Sequence, residues 1–120
     1  MLLNVSNHPS SLWSSEQLAA AKEYGDIRDY PFPNVPPYWD EQHVEKLAEW
    51  MLSDILMLNP EAVLCQGEMT LTYLLVKRLT AAGIRVLCAC TERSTQENPL
   101  SDGTMQKTTR FSFVRFREYR

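Results

Sequence analysis

The chain has 120 residues, 44% of them apolar and 22% charged, and a formal net charge of −3. That length suits one domain with a real core and leaves no room for a second, while the acidic balance speaks against a general binder of long nucleic acid. No run approaches the roughly 18 apolar residues of a membrane span, and Met1-Leu2-Leu3-Asn4 lacks the basic-then-apolar form of a signal peptide, so a cytoplasmic protein with no membrane partner is expected.

Leu2 to Ser6 reads as a first strand, and Asn7-His8-Pro9-Ser10-Ser11 as the turn after it. Ser14 followed by Gln17 makes a capping box for a helix whose Leu18, Ala21 and Tyr24 share one face, and Gly25 closes it. A second strand at Ile27 to Tyr30 is stopped by a segment with four prolines in seven residues, 31–37, which forces extended backbone. Asp40 is placed to cap a long helix carrying Val44, Leu47, Ala48, Met51, Ile55 and Leu58 at i, i+3, i+4 spacing, ended by Asn59-Pro60.

A third strand, Ala62 to Gln66, breaks at Gly67 and restarts as a helix from Thr70 to Ala82, with Gly83 as its stop. Ile84 to Cys90 is the fourth strand. Ser94 to Met105 is polar, contains Pro99 and Asp102-Gly103, and reads as a surface loop. Thr108 to Phe116 forms the last strand, with Phe111 and Phe113 on one face. Strands alternating with helices call for a mostly parallel α/β sheet with helices on both faces. The last strand follows no helix, so it is expected antiparallel, at an edge.

Cys65, Cys88 and Cys90 are odd in number and lie in apolar runs, as reduced core thiols do. Cys88 and Cys90 are expected on opposite sides of their strand, unable to hold a metal together, and with two histidines in the chain no metal site is expected. Residues 106–120 carry a local charge of +4, leaving −7 on the remainder. Such a strand is either an edge protected by charge or a cationic patch for a small anion.

Three segments fall just past strand ends, where open α/β sheets gather ligand contacts. In the first, His8 is either a turn histidine or a catalytic one, and Ser10 and Ser11 either donate to phosphate or start the turn and the next helix. Trp13 either stacks on a base or lies against the core. In the second, Gly67-Glu68-Met69-Thr70-Leu71-Thr72, the glycine-rich span and lysine of a phosphate-binding loop are missing. Glu68 there is either a carboxylate held by the helix dipole or a general base or hydroxyl acceptor, and Thr70 and Thr72 are the candidate phosphate or sugar donors. In the third, Thr91-Glu92-Arg93-Ser94, Arg93 offers a planar guanidinium for a phosphate. His, Ser/Thr and Arg on loops suit a phosphodiester whose own 2′-hydroxyl is the nucleophile, since the protein then need only align it and stabilise developing charge.

Taken together, Ser6-Asn7-His8-Pro9 with Trp13, the Gly67-Glu68-Met69-Thr70 junction, Thr91-Glu92-Arg93 and the closing Phe113-Val114-Arg115-Phe116-Arg117-Glu118-Tyr119 resemble small CRISPR-associated proteins related to the CARF-domain ring nucleases of type III systems. The resemblance implies a single CARF-like, Rossmann-like domain over residues 1–120. It also implies a homodimer that binds cyclic oligoadenylate, cyclic tetra-adenylate foremost, across its two-fold axis. The activity implied is metal-independent ring cleavage that ends in 2′,3′-cyclic phosphate, with no cofactor, switching off an antiviral signal. Carried over by position, His8, Ser11 and Glu68 are the catalytic candidates. Asn7, Pro9, Ser10, Trp13, Gly67, Met69, Thr70, Thr72, Thr91 and Arg93 are the ligand contacts. Two other readings stay open: a non-catalytic sensor or sponge for the same messenger, and an adaptor that pairs through its last strand.

Overall fold

The computed structural model describes residues 1–120. Five strands, β1 (Leu2–Ser6), β2 (Ile27–Pro31), β3 (Ala62–Gln66), β4 (Arg85–Pro99) and β5 (Met105–Glu118), alternate with three helices, α1 (Ser15–Lys22), α2 (Glu41–Leu58) and α3 (Met69–Ala81). They form one sheet in the order β2-β1-β3-β4-β5, parallel except for the antiparallel β4–β5 edge pair. The mostly parallel α/β sheet expected from the alternation is what the chain adopts, and it is consistent with the Rossmann-like fold that the resemblance implies.

Two-residue periodicity divides each central strand between two cores. Leu3, Val5, Val63, Cys65 and Val86 point to one face, where α2 brings Val44, Ala48, Met51 and Ile55 and α3 brings Leu71, Leu75 and Leu79. Their neighbours Leu2, Ala62, Leu64 and Leu87 point to the other, where they meet Ala21, Trp13 and Phe116. That second face is covered by a single helix of eight residues, so the sheet surface beyond it stays open. No helix is long and apolar enough to cross a membrane.

The helix boundaries follow their caps. Ser14 Oγ accepts from the Gln17 amide, and Asp40 Oδ1 from the His43 amide. Asn59 ends α2 in the left-handed conformation at φ 50°. Gly67 is a glycine because of packing. A Cβ there would lie 2.5 Å from the buried Phe32 ring.

Three expectations need correction. Residues 94–105 are not a surface loop, because β4 runs to Pro99 and β5 starts at Met105, with the turn at residues 100–104 between them. The Thr91–Ser94 segment is therefore strand as well. Its polar residues pair across the hairpin, Glu92 with Ser112 and Ser94 with Arg110, as do Thr95 with Thr109 and Gln96 with Thr108 beyond it. A ribbon wet on both sides lacks the apolar alternation that marks a strand in sequence. Finally, Cys88 and Cys90 share a face of β4, since residues two apart point the same way. Burial and the adjacent Cys90 push the Cys88 thiol up, and Arg117 offsets this only in part.

The hairpin gives the molecule its shape. Every residue from 91 to 112 is exposed, and the radius of gyration is 17.4 Å, with a longest dimension of 57 Å. A compact chain of this length would have a radius of about 14 Å.

Candidate functional site

Chain order leaves β1 for β2 on one side and then returns to β3 on the other, so the strand order reverses at the carboxyl ends of β1 and β3. Open α/β sheets bind ligands at such a reversal. β3 and β4 pair only as far as Leu64 with Leu87. Beyond that point they part, and the Gln66 side chain bridges the gap by accepting the Ala89 amide at 2.8 Å. A cleft of about 1060 Å³ opens there.

Its wall is built element by element. The end of β1 supplies Ser6, Asn7 and His8, the end of β3 supplies Gln66 and Gly67, and β4 supplies Ala89 and Thr91. Leu12, Trp13, Ser14, Glu16 and Gln17 close the side formed by the short 3-10 turn and α1, and Phe111, Ser112 and Phe113 of β5 close the opposite side. Phe113 faces inward because β5 carries one extra residue, Val114, between Arg115 opposite Cys90 and Phe113 opposite Thr91. Phe113 thereby joins Phe116, ring centroids 5.0 Å apart, and Phe116 meets Trp13 at 6.3 Å.

A buried network holds the loop after β1. Asn4, 1% exposed, donates its amide to the His8 carbonyl at 2.9 Å and to Asp29 Oδ1 at 3.0 Å, and accepts from Ser6 Oγ at 2.6 Å. The Ser10 amide and hydroxyl both donate to Asp29 at 3.1 Å, and the Trp13 indole donates to the His8 carbonyl at 3.0 Å. Slight burial raises the Asp29 carboxyl, but the bonds from Asn4 and Ser10 outweigh it and hold the group below the usual carboxylate range. The network fixes the His8 backbone and makes no call on its exposed imidazole.

The structure brings Asn7, His8, Trp13, Gly67 and Thr91 together in the cleft lining and leaves the other candidates outside it. Ser10 is occupied with Asp29, and Pro9 and Ser11 belong to the turn. Glu68 is the N-cap of α3. Its two oxygens accept from the Thr70 amide at 3.0 Å, the Leu71 amide at 2.9 Å and the Thr70 hydroxyl at 2.9 and 2.7 Å. A little burial raises this carboxyl, yet the bonds from Leu71 and Thr70 prevail and lower it. Glu68 is thus committed to the helix and supplies no base to the cleft, and it occupies the amides a phosphate would need.

Met69 and Thr72 line a second hollow of about 640 Å³ along α3, where the buried Thr72 hydroxyl has no partner. Met69 also borders a third hollow with Thr70, between α3 and α2. Arg93 lies one step out along β4, opposite Phe111. Cross-strand partners share a face, so Arg93 stands at the rim on the same side as the cleft's aromatic wall.

Sequence reasoning missed Leu12, Glu16, Gln17 and Gln66, and gave Phe111 and Phe113 no site role. Gln66 had a readable signal. It ends an apolar strand two residues after Leu64, so it must face the same way at a ligand-binding strand end.

A family model described as "Uncharacterized protein MJ1673 family" matches residues 1–117, and the chain belongs to that family. No curated protein and no solved structure matches it.

Proposed function

We propose that this member of the MJ1673 family binds cyclic oligoadenylate in the cleft at the ends of β1 and β3 and opens the ring by transesterification. One observation carries the proposal: aromatic faces, amide side chains and an exposed imidazole line a single cleft at the strand-order reversal. Adenines stack on Phe111 and Phe113, a contact worth about 1–3 kcal/mol per base, while Trp13 lies against the core beneath them and not on a base. The amides of Asn7 and Gln17 match the donor–acceptor edge of adenine, and Gln66, whose oxygen is taken by Ala89, has its amide hydrogens left to donate. Arg93 at the rim is the phosphate contact.

In the chemical step a ribose 2′-oxygen attacks the adjacent phosphorus, the P–O2′ bond forms and the P–O5′ bond breaks. His8 takes the proton from the 2′-hydroxyl and returns one to the departing 5′-oxygen. The products end in 2′,3′-cyclic phosphate and 5′-hydroxyl. With Glu68 and Ser10 committed elsewhere and Ser11 outside the lining, His8 and Glu16 are the titratable groups left to the cleft. The same scarcity favours a second reading, a sensor or sponge that holds the ring without cutting it.

The test is incubation of purified protein with cyclic tri-, tetra- and hexa-adenylate in EDTA, resolved by chromatography. A linear product ending in cyclic phosphate is expected, with cleavage slowed about 10²- to 10⁴-fold in His8→Ala. Tight binding of rings that stay intact at stoichiometric protein would establish the sensor instead. Rings neither bound nor cut would overturn both.

A further inference from the structure

The second hollow, of about 640 Å³, plays no part in the reaction proposed for the cleft. One wall is a single stripe of α3. Met69, Thr72, Tyr73, Val76, Lys77 and Thr80 recur there at the i, i+3, i+4 spacing that stacks side chains on one side of a helix. Tyr119 and Arg120, just past the end of β5, supply more of the lining. The Tyr119 amide donates to the Val86 carbonyl at 2.9 Å, which ties that part of the chain to β4. Only Gln66 and Gly67 are shared with the cleft.

Two features of this lining point to a ligand. The first is the Thr72 hydroxyl, whose oxygen is buried without a hydrogen-bond partner. A helical threonine can bond back to the carbonyl one turn earlier, and Thr80 does so, its Oγ1 donating to the Val76 carbonyl at 2.7 Å. Thr72 does not, although its turn is regular and its amide bonds the Glu68 carbonyl at 2.9 Å. A buried polar group left unmatched is costly and rare. The second feature is charge. The lining holds Lys77 and Arg120 and no carboxylate, in a chain whose net charge is −3. The helical neighbours of Lys77 are Tyr73, Leu74, Thr80 and Ala81, so no acid on α3 neutralises it. The molecule's two ion pairs, His43 with Asp40 and Lys107 with Glu97, involve neither cation.

We propose that this hollow is a second binding site, for a small phosphomonoester built on a planar ring. Lys77 and Arg120 hold the phosphate, since two unpaired cations match a group that carries about −1.5 to −2 near neutrality and a guanidinium binds it through two parallel bonds. The Thr72 hydroxyl donates to a ligand oxygen and gains the partner it lacks. Tyr73 and Met69, 64% and 84% exposed, cover the ring together with Tyr119 and Val76. The volume lies within the roughly 300–1,000 Å³ of small-molecule sites.

Isothermal titration of the full chain with phenyl phosphate, inorganic phosphate and phenol tests the site without any nucleotide. Phenyl phosphate should bind with a Kd of about 1 mM or tighter, inorganic phosphate more weakly and phenol weakest. Lys77→Gln should weaken phenyl phosphate about tenfold. Thr72→Val should weaken it too while raising the melting temperature of the free protein, because the unmatched hydroxyl is gone. Phe111→Ala, on the wall of the cleft, should leave this binding unchanged, which separates the site from whatever the cleft holds. No binding of either phosphate, or binding that survives both Lys77→Gln and Thr72→Val, overturns the site. Binding lost with Phe111→Ala puts the ligand in the cleft and overturns it as well. Inorganic phosphate that binds as tightly as phenyl phosphate overturns the planar ring.

Discussion

Replacing Glu68 separates a structural carboxylate from a catalytic one. In the fold its two oxygens satisfy the Thr70 and Leu71 amides and the Thr70 hydroxyl at 2.7 to 3.0 Å. Removing a side-chain N-cap costs about 1 kcal/mol, which lowers the melting temperature of a domain this size by roughly 3–5 °C. Glu68→Ala should show that loss. Glu68→Gln should show about half of it, because one oxygen still accepts while the favourable charge at the helix start is gone. The Glu68 carboxyl is lowered in the fold, so its contribution is present above the unfolded value of about 4.3 and disappears as pH falls through the folded value. Melting curves of wild type and Glu68→Gln should therefore differ near neutrality and converge in acid. The proposed ring opening, assayed well below their melting temperatures, should stay within a few-fold of wild type in both variants. A Glu68→Gln protein that melts like wild type but cleaves about 100-fold more slowly would refute the capping role and restore a general base.

Two further outcomes follow from packing and hydrogen bonding. Gly67→Ala drives a methyl into the buried Phe32 ring and should cost about 1–3 kcal/mol by overpacking, with Gly67→Ala/Phe32→Leu recovering part of it in denaturant titrations; a neutral Gly67→Ala would mean that the ring moves freely. Asn4→Ala strips the His8 carbonyl and Asp29 of a buried donor and should cost about 1–3 kcal/mol while speeding hydrogen exchange at the Ser10 amide, and unchanged exchange there would show that the turn holds itself.

The central sheet and its helices were legible because their chemistry is local. The apolar run Ala62–Gln66 has the bounds of β3, and Asp40 caps α2 where its side-chain type demands. α3 begins one residue earlier than its spacing suggests, since Glu68, an uncommon cap, closes the turn itself. A cleft at the strand ends was also readable, and five of the candidate residues line it. Side-chain commitments were not. Nothing local says that Ser10 is drawn to Asp29, nineteen residues away, or that Gln66 spans the parting of β3 and β4. The arm stayed hidden for a different reason, because its strands bury neither face and so leave no periodic apolar trace.

The unpaired Val114 makes the distal half of β5 a phase-controlled cassette. Inserting one residue between Cys90 and Thr91, opposite Val114, would restore plain alternation beyond Phe116, turning Phe113 and Phe111 to the far side and bringing Ser112 and Arg110 round to the cleft. A single codon thus stands between an aromatic wall and a cationic one on an unchanged sheet. The length of this short stretch is a control over the wall of the cleft separate from the identity of any side chain in it.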